Sequence, residues 1–77
     1  MDIYEQNVIK KVAEKSGEEL ESITRESFLE DDLNLGEMEI EEMLEEIEEA
    51  YSIDISEEKD DVSTVGEIVD LVIEKVE

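Results

Sequence analysis

The sequence contains no cysteine, histidine, proline or tryptophan, and only six of its 77 residues are basic. Without Cys and His, the chain has no thiolate nucleophile, no imidazole base, no disulfide and no site of the usual zinc type. Its 27 acidic residues give a formal net charge of −21. This charge repels the phosphates of nucleic acids and of anionic membranes, so we expect neither as a partner. Hard cations with oxygen ligands remain compatible with the composition.

Apolar residues make up 39% of the chain and recur at helical spacing, which favours a folded domain over a disordered acidic segment. The length predicts one domain over residues 1–77, with no proline-rich or low-complexity linker. The first residues are neither basic nor followed by an apolar run, and no stretch approaches the roughly 20 apolar residues of a membrane span. We therefore expect a soluble, cytoplasmic monomer.

The negative charge is concentrated in the middle of the chain. Residues 26–61 hold 17 acidic side chains and a single basic one, Lys59, whereas residues 1–25 hold six acidic and four basic ones. A clustered field of this kind steers a positively charged partner toward the segment that carries it. The alternative, which the sequence leaves open, is a solvated face that only keeps a small protein soluble.

Two long segments have the spacing of amphipathic helices. The first covers residues 3–16, with Asp2 as N-cap, Glu5 completing a capping box and Gly17 after the last turn. The second covers residues 37–51, where one apolar stripe faces glutamates on nearly all other positions. Because those glutamates repel one another, packing of the stripe has to stabilise this helix.

The remaining elements are shorter. Thr64 and Glu67 form a second capping box that opens the last helix, and Ser56 is expected to cap a short helical turn over residues 57–61. Residues 18–35 form a long loop that its apolar residues should pin to the core. The fold class is all-α, with three main helices, one short helix and a long first loop. The expected core residues are Ile9, Val12, Phe28, Leu33, Met43, Ile47, Tyr51, Ile55, Val65, Ile68 and Val72.

Carboxylate pairs are so common here that no single pair indicates acid–base catalysis, and we predict that the protein is not an enzyme. A calcium-binding EF-hand loop centred on Gly36 would start at Asp31 and end at Glu42. Its third and fifth positions would be Leu33 and Leu35, whose side chains cannot coordinate calcium, so the motif fails. Loose binding of divalent cations stays open for the neighbouring carboxylates Glu30, Asp31 and Asp32, or for the glutamates of the second helix.

The order of motifs from residue 23 onward resembles the acyl carrier protein family. That family has an Asp-Asp-Leu-Gly-x-Asp-Ser-Leu motif opening an acidic helix, which ends in an aromatic residue and is followed by x-Ile-x-Ile-Pro. The matching residues here are Asp31, Asp32, Leu33, Met43, Leu44, Ile47, Glu48, Glu49, Tyr51, Ile53 and Ile55. Residues 63–70 are similar to the family's Thr-Val-Gly-Asp start of the last helix. The resemblance covers nearly the whole chain and implies a small helical bundle.

The resemblance also implies a site that this chain has lost. In the family, a 4′-phosphopantetheine arm is attached to the serine of Asp-Ser-Leu, and acyl groups are carried on its thiol. The corresponding residues here are Gly36, Glu37 and Met38. A carboxylate cannot form the serine phosphodiester, so position 37 cannot be modified and no cofactor is predicted. Three explanations stay open: a natural paralogue without attachment, a glutamate introduced in place of a serine, or attachment at another serine such as Ser27.

Partner enzymes of the family bind acidic and exposed apolar side chains on the second helix. Met38 keeps one apolar position, whereas Glu41 and Glu45 stand where the family usually has apolar residues. The resemblance thus implies docking through Asp31, Asp32, Met38, Glu41, Glu42, Glu45 and Glu48. The leading hypothesis is a carrier-like protein that docks to a basic surface, such as that of a lipid or polyketide pathway enzyme, without carrying an acyl thioester. The alternatives are a working acyl carrier and an acidic protein that binds divalent cations.

Overall fold

The computed structural model describes residues 3–77, so the predicted N-cap Asp2 lies outside the described residues. Its elements, in chain order, are α1 (Ile3–Ser16), a 3-10 turn (Leu20–Ser22), α2 (Glu37–Tyr51), a second 3-10 turn (Lys59–Asp61) and α3 (Val65–Val76). Residues 3–77 contain no β-strand, although Phe28 and Thr64 form an isolated antiparallel bridge. The predicted all-α fold with three main helices is confirmed, and α1 and α2 have the expected bounds.

Local signals in the sequence set the helix ends. Gly17 follows α1 with φ +78°, a left-handed conformation that glycine adopts readily, and its N–H donates to the carbonyl of Ala13 at 2.9 Å. At the start of α3 the predicted capping box is present: Thr64 N–H donates to Glu67 Oε1 at 3.0 Å, and Glu67 N–H donates to Thr64 Oγ1 at 3.3 Å. The backbone N–H and the hydroxyl of Ser63 donate to the same Glu67 carboxylate and lower its pKa.

The predicted cap at Ser56 was wrong. Its backbone N–H and its hydroxyl both donate to Asp54 Oδ1, at 2.9 and 2.7 Å, and these bonds lower the pKa of Asp54. The 3-10 turn starts only at Lys59 and has no side-chain cap. The Ser56 hydroxyl therefore hydrogen-bonds to the Asp54 side chain, two residues upstream, and does not cap the helical turn that follows.

The core lies where the three helices meet the long first loop. The buried apolar residues are Val8, Val12, Ile23, Leu29, Leu33, Leu35, Met43, Leu44, Ile47, Ile55, Val65, Ile68, Val69 and Val72. Residues of the loop are among them, so the expectation that the loop is pinned to the core is confirmed. Ile9 and Tyr51, both expected in the core, are partly buried and pack against its edge. The Tyr51 ring meets Tyr4 edge to face, with centroids 5.6 Å apart.

Phe28 was wrongly assigned to the core. Its side chain is 47% exposed, whereas its neighbour Leu29 is fully buried. The backbone decides between them, because Leu29 N–H donates to the carbonyl of Ser63 at 2.9 Å and Val65 N–H donates to the carbonyl of Ser27 at 3.1 Å. These two bonds fix the loop in an extended conformation, in which successive side chains point to opposite sides.

Arg25 ties the loop to two helices. Its guanidinium donates to Asp70 on α3 at 2.9 Å and lies 3.4 Å from a Glu5 oxygen on α1. Its carbonyl accepts from Gly66 N–H at 2.9 Å, and a Cβ at position 66 would come within 3.0 Å of that carbonyl oxygen. Glycine is therefore required at this close approach between the loop and α3. None of the helices within residues 3–77 has the length and apolar character to cross a membrane.

Candidate docking face and attachment position

The start of α2 is built without a side-chain cap. Gly36 is the N-cap, in extended conformation with φ −79° and ψ 164°, and its N–H donates to Glu39 Oε1 at 2.8 Å. Glu37 is the first helical residue and is exposed, in a position where the helix dipole favours a negative charge. Met38 follows and is 75% exposed. The attachment position predicted from the motif is thus accessible, but it presents a carboxylate in place of a hydroxyl.

The two aspartates before this helix differ in their surroundings. Both Asp31 and Asp32 are exposed. Asp32 Oδ2 accepts a hydrogen bond from Phe28 N–H at 2.8 Å, so this carboxylate helps to hold the loop in shape. Asp31 makes no ion pair or hydrogen bond with the other described residues and is available to a partner.

Glu46 fastens α2 to α1. Its Oε1 lies 2.9 Å from Lys11 Nζ and its Oε2 lies 2.8 Å from Lys15 Nζ. The hydrogen bonds from Lys15 and Lys11 lower the pKa of Glu46 to about 2, and the same contacts raise the pKa values of both lysines. This clamp relieves part of the repulsion among the glutamates of α2, which the helix cannot relieve by itself.

Other internal contacts involve the flanks of α2. Glu48 is half-buried, and its Oε2 accepts a hydrogen bond from Ile55 N–H at 2.7 Å, which holds the segment after the helix. Glu41 Oε1 lies 3.6 Å from Lys59 Nζ. Of the predicted docking residues, Glu48 therefore supports the fold and Glu41 lies beside a cation.

Four exposed side chains remain on the side of α2 that faces away from the core: Met38, Glu42, Glu45 and Glu49. We call them the outer face of α2. Their spacing of four, three and four residues places them along one side of a helix. Glu42 stands at its border, since Oε1 is 3.8 Å from Lys15 Nζ. Glu49 was not among the predicted docking residues, although its spacing from Met38 places it on the same side of the helix.

Removing the charge of Glu46 and removing that of its neighbour Glu45 should change the stability of the protein in opposite directions. We expect Glu46→Gln to lower Tm by a few degrees, because it breaks both lysine contacts, and Glu45→Gln to leave Tm equal or higher, because it removes repulsion. The pKa of Glu46 is lowered from 4.5 to about 2, so its contribution is present above pH 4.5 and lost as the pH falls through about 2. The Tm difference between wild type and Glu46→Gln should shrink over that range. Thermal unfolding by circular dichroism measures it, and equal Tm values for the two variants would contradict the clamp.

Ser27, the alternative attachment residue, is poorly placed for modification. Only 7% of the residue is exposed. Its Oγ accepts a hydrogen bond from Thr24 N–H at 3.0 Å and lies 3.4 Å from Thr24 Oγ1. A transferase would have to open this turn to reach the hydroxyl. For metals, the part of the chain from residue 3 onward contains no group of three or more carboxylates arranged to hold an ion.

Comparison with known proteins identifies the family. No protein-family model matches the chain. A curated protein named acyl carrier protein, from Exiguobacterium sp., is 37% identical over 59 residues, which are 75% of this chain and 75% of that protein. The helical bundle agrees with this similarity. The chain therefore belongs to the acyl carrier protein family, whose members are carriers and not enzymes.

Proposed function

We propose that this protein acts by docking to a basic surface of a partner protein and does not carry an acyl thioester. The observation that carries the proposal is the exposed Glu37 at the first position of α2, where the family motif has its attachment serine. A carboxylate at this position cannot be converted into the serine phosphodiester. The burial and hydrogen bonding of Ser27 count against attachment there.

The charges of α2 support docking as the remaining activity. Glu45 and Glu49 are exposed and make no ion pair with the other described residues, so their field is available to a partner. Met38, exposed beside them, offers an apolar contact at the same side of the helix. Carboxylates around an apolar side chain would set the orientation of a basic partner and accelerate its association. Family membership favours a lipid or polyketide pathway enzyme as that partner.

Wild-type protein incubated with a phosphopantetheinyl transferase and coenzyme A is expected to keep its mass, because residue 37 lacks a hydroxyl. Intact-protein mass spectrometry is the measurement. The Exiguobacterium acyl carrier protein, treated in the same way, is the positive control for transferase activity. A gain of one phosphopantetheine arm on the wild-type chain would overturn the proposal and make the protein a working carrier.

A further inference from the structure

A cleft lies between α1 and the first 3-10 turn. Gly17 ends α1 and reverses the chain, and the turn Leu20–Ser22 packs back against the helix. The cleft between them measures about 440 Å³, and its lining is mainly apolar. We call it the α1 cleft, and its lining residues are Gln6, Ile9, Lys10, Leu20, Glu21 and Ile23. Its volume falls within the roughly 300–1,000 Å³ of small-molecule sites.

The apolar side chains of the α1 cleft are only partly covered by the fold. Leu20 is 47% exposed, and Ile9 is half-buried at the edge of the core. An apolar chain placed in the cleft would remove more of this surface from water, which is favourable in proportion to the area covered. The cleft is therefore suited to a small apolar group.

Lys10, at the edge of this cleft, differs from every other basic residue of the chain. It is exposed and makes no ion pair or hydrogen bond with the other residues of the described range 3–77. The five others each have a nitrogen 2.8–3.6 Å from a carboxylate oxygen: Lys11, Lys15, Arg25, Lys59 and Lys75. The fold thus leaves one amine without a counter-ion, next to an apolar cleft.

The ion pairs also lower the reactivity of the other lysines. A lysine attacks a carbonyl only in its neutral form. The hydrogen bonds from Lys11 and Lys15 to Glu46 raise the pKa values of both amines, and the hydrogen bond from Lys75 to Glu58 does the same for Lys75. Each of these lysines therefore has a smaller neutral fraction and a nitrogen already held by a carboxylate.

We propose that Lys10 is an acylation site and that the α1 cleft selects acyl donors with an apolar chain. The co-reactant is an acyl thioester. The neutral Lys10 Nζ attacks the thioester carbonyl, a C–N bond forms and the C–S bond breaks. The leaving thiolate takes the proton that the nitrogen loses. The product is an amide on α1, so this site is distinct from docking and from the thioester of a phosphopantetheine arm.

The cleft contributes by position. An acyl chain that packs on Leu20 and Ile9 keeps the thioester carbonyl close to Nζ, which raises its effective concentration at the amine. Acylation of Lys10 removes a positive charge but breaks no ion pair, so we expect the fold to keep its stability. Acylation of Lys11 or Lys15 would instead break a contact with Glu46.

The octanoyl and acetyl thioesters of N-acetylcysteamine test the site, because these donors carry no charge and are not repelled by the protein. Peptide mapping by mass spectrometry gives the rate of acylation at each lysine. The ratio of the Lys10 rate to the Lys75 rate cancels the difference in intrinsic reactivity between the donors. We expect this ratio to be about tenfold higher with the octanoyl donor, the gain from covering about two methylene groups.

Three variants separate the cleft from the free amine. Leu20→Ala should remove most of the octanoyl gain. Phe28→Ala is the matched control, because Phe28 is also 47% exposed but lies outside the α1 cleft, and it should keep the gain. Glu46→Gln should raise the rates at Lys11 and Lys15 and leave the rate at Lys10 unchanged.

Similar rates at all lysines of the folded protein would overturn the site. A preference for Lys10 that is equal with both donors would overturn the role of the cleft, and so would a Leu20→Ala variant that keeps the octanoyl gain. Unchanged rates at Lys11 and Lys15 in Glu46→Gln would contradict protection by the ion pairs. None of these results alters the mass expected after treatment with the transferase and coenzyme A, so the proposed function is tested separately.

Discussion

Replacing Gly36 by Asp and Glu37 by Ser is expected to turn the chain into a substrate for a phosphopantetheinyl transferase, with a change from no detectable product to extensive modification. The double variant restores the Asp-Ser pair of the family motif at a helix start that already exists. Residue 37 is exposed and is the first residue of α2. The new serine hydroxyl would therefore be reachable without local unfolding.

The backbone at position 36 accepts the aspartate. Gly36 has φ −79° and ψ 164°, which any L-residue adopts, and a Cβ there would lie 3.5 Å from Glu39 Oε1, an ordinary contact distance. Aspartate is also a better N-cap than glycine, because its carboxylate accepts from the first amides of the helix. The variant should fold at least as well as wild type.

The mass of the intact protein, measured after incubation with transferase and coenzyme A, shows whether the phosphopantetheine arm has been attached. Glu49→Ser is the matched control, since it places a serine at another exposed position of α2 outside the motif, and it should gain no mass. An unmodified double variant, in a reaction that modifies the Exiguobacterium protein, would contradict the expectation. It would indicate that residues outside positions 36 and 37 also prevent modification.

Leu29→Ala is expected to destabilise the protein strongly, most of all at low ionic strength. Leu29 is fully buried, and removal of its side chain should cost about 2–5 kcal/mol. A chain of this length has a total stability of about 4–12 kcal/mol before the repulsion of its net charge is considered. Urea unfolding followed by circular dichroism, with and without added NaCl, measures the loss. Salt should recover part of it by screening the carboxylates.

Phe28→Ala is the matched control for this prediction. The two residues are adjacent and similarly apolar, but Phe28 is half-exposed, so its replacement should cost much less than that of Leu29. Equal destabilisation by the two substitutions would show that Phe28 packs in the core, as the sequence suggested, and would contradict the orientation of the loop described above.

The helices could be predicted because their signals are local. The apolar stripe of residues 37–51 repeats every turn, Gly17 permits the left-handed end of α1, and Thr64 lies three residues before Glu67. The first loop has no such period. Phe28 and Leu29 are both large apolar residues, so the sequence does not tell which of them is buried. A bridge to Thr64, far along the chain, decides which of them is buried.

The sequence by itself determined the family resemblance, the helix positions and the absence of a serine at residue 37, because each depends on residue identity and short-range spacing. Only the tertiary structure showed that the glutamates of α2 differ in their contacts and exposure. Glu46 is clamped by lysines from α1 and Glu48 by the backbone of Ile55, while Glu45 remains exposed. The physical reason is that a carboxylate's role depends on which cation or donor lies within about 3–4 Å. On a helix rich in glutamate, those neighbours come from other parts of the chain.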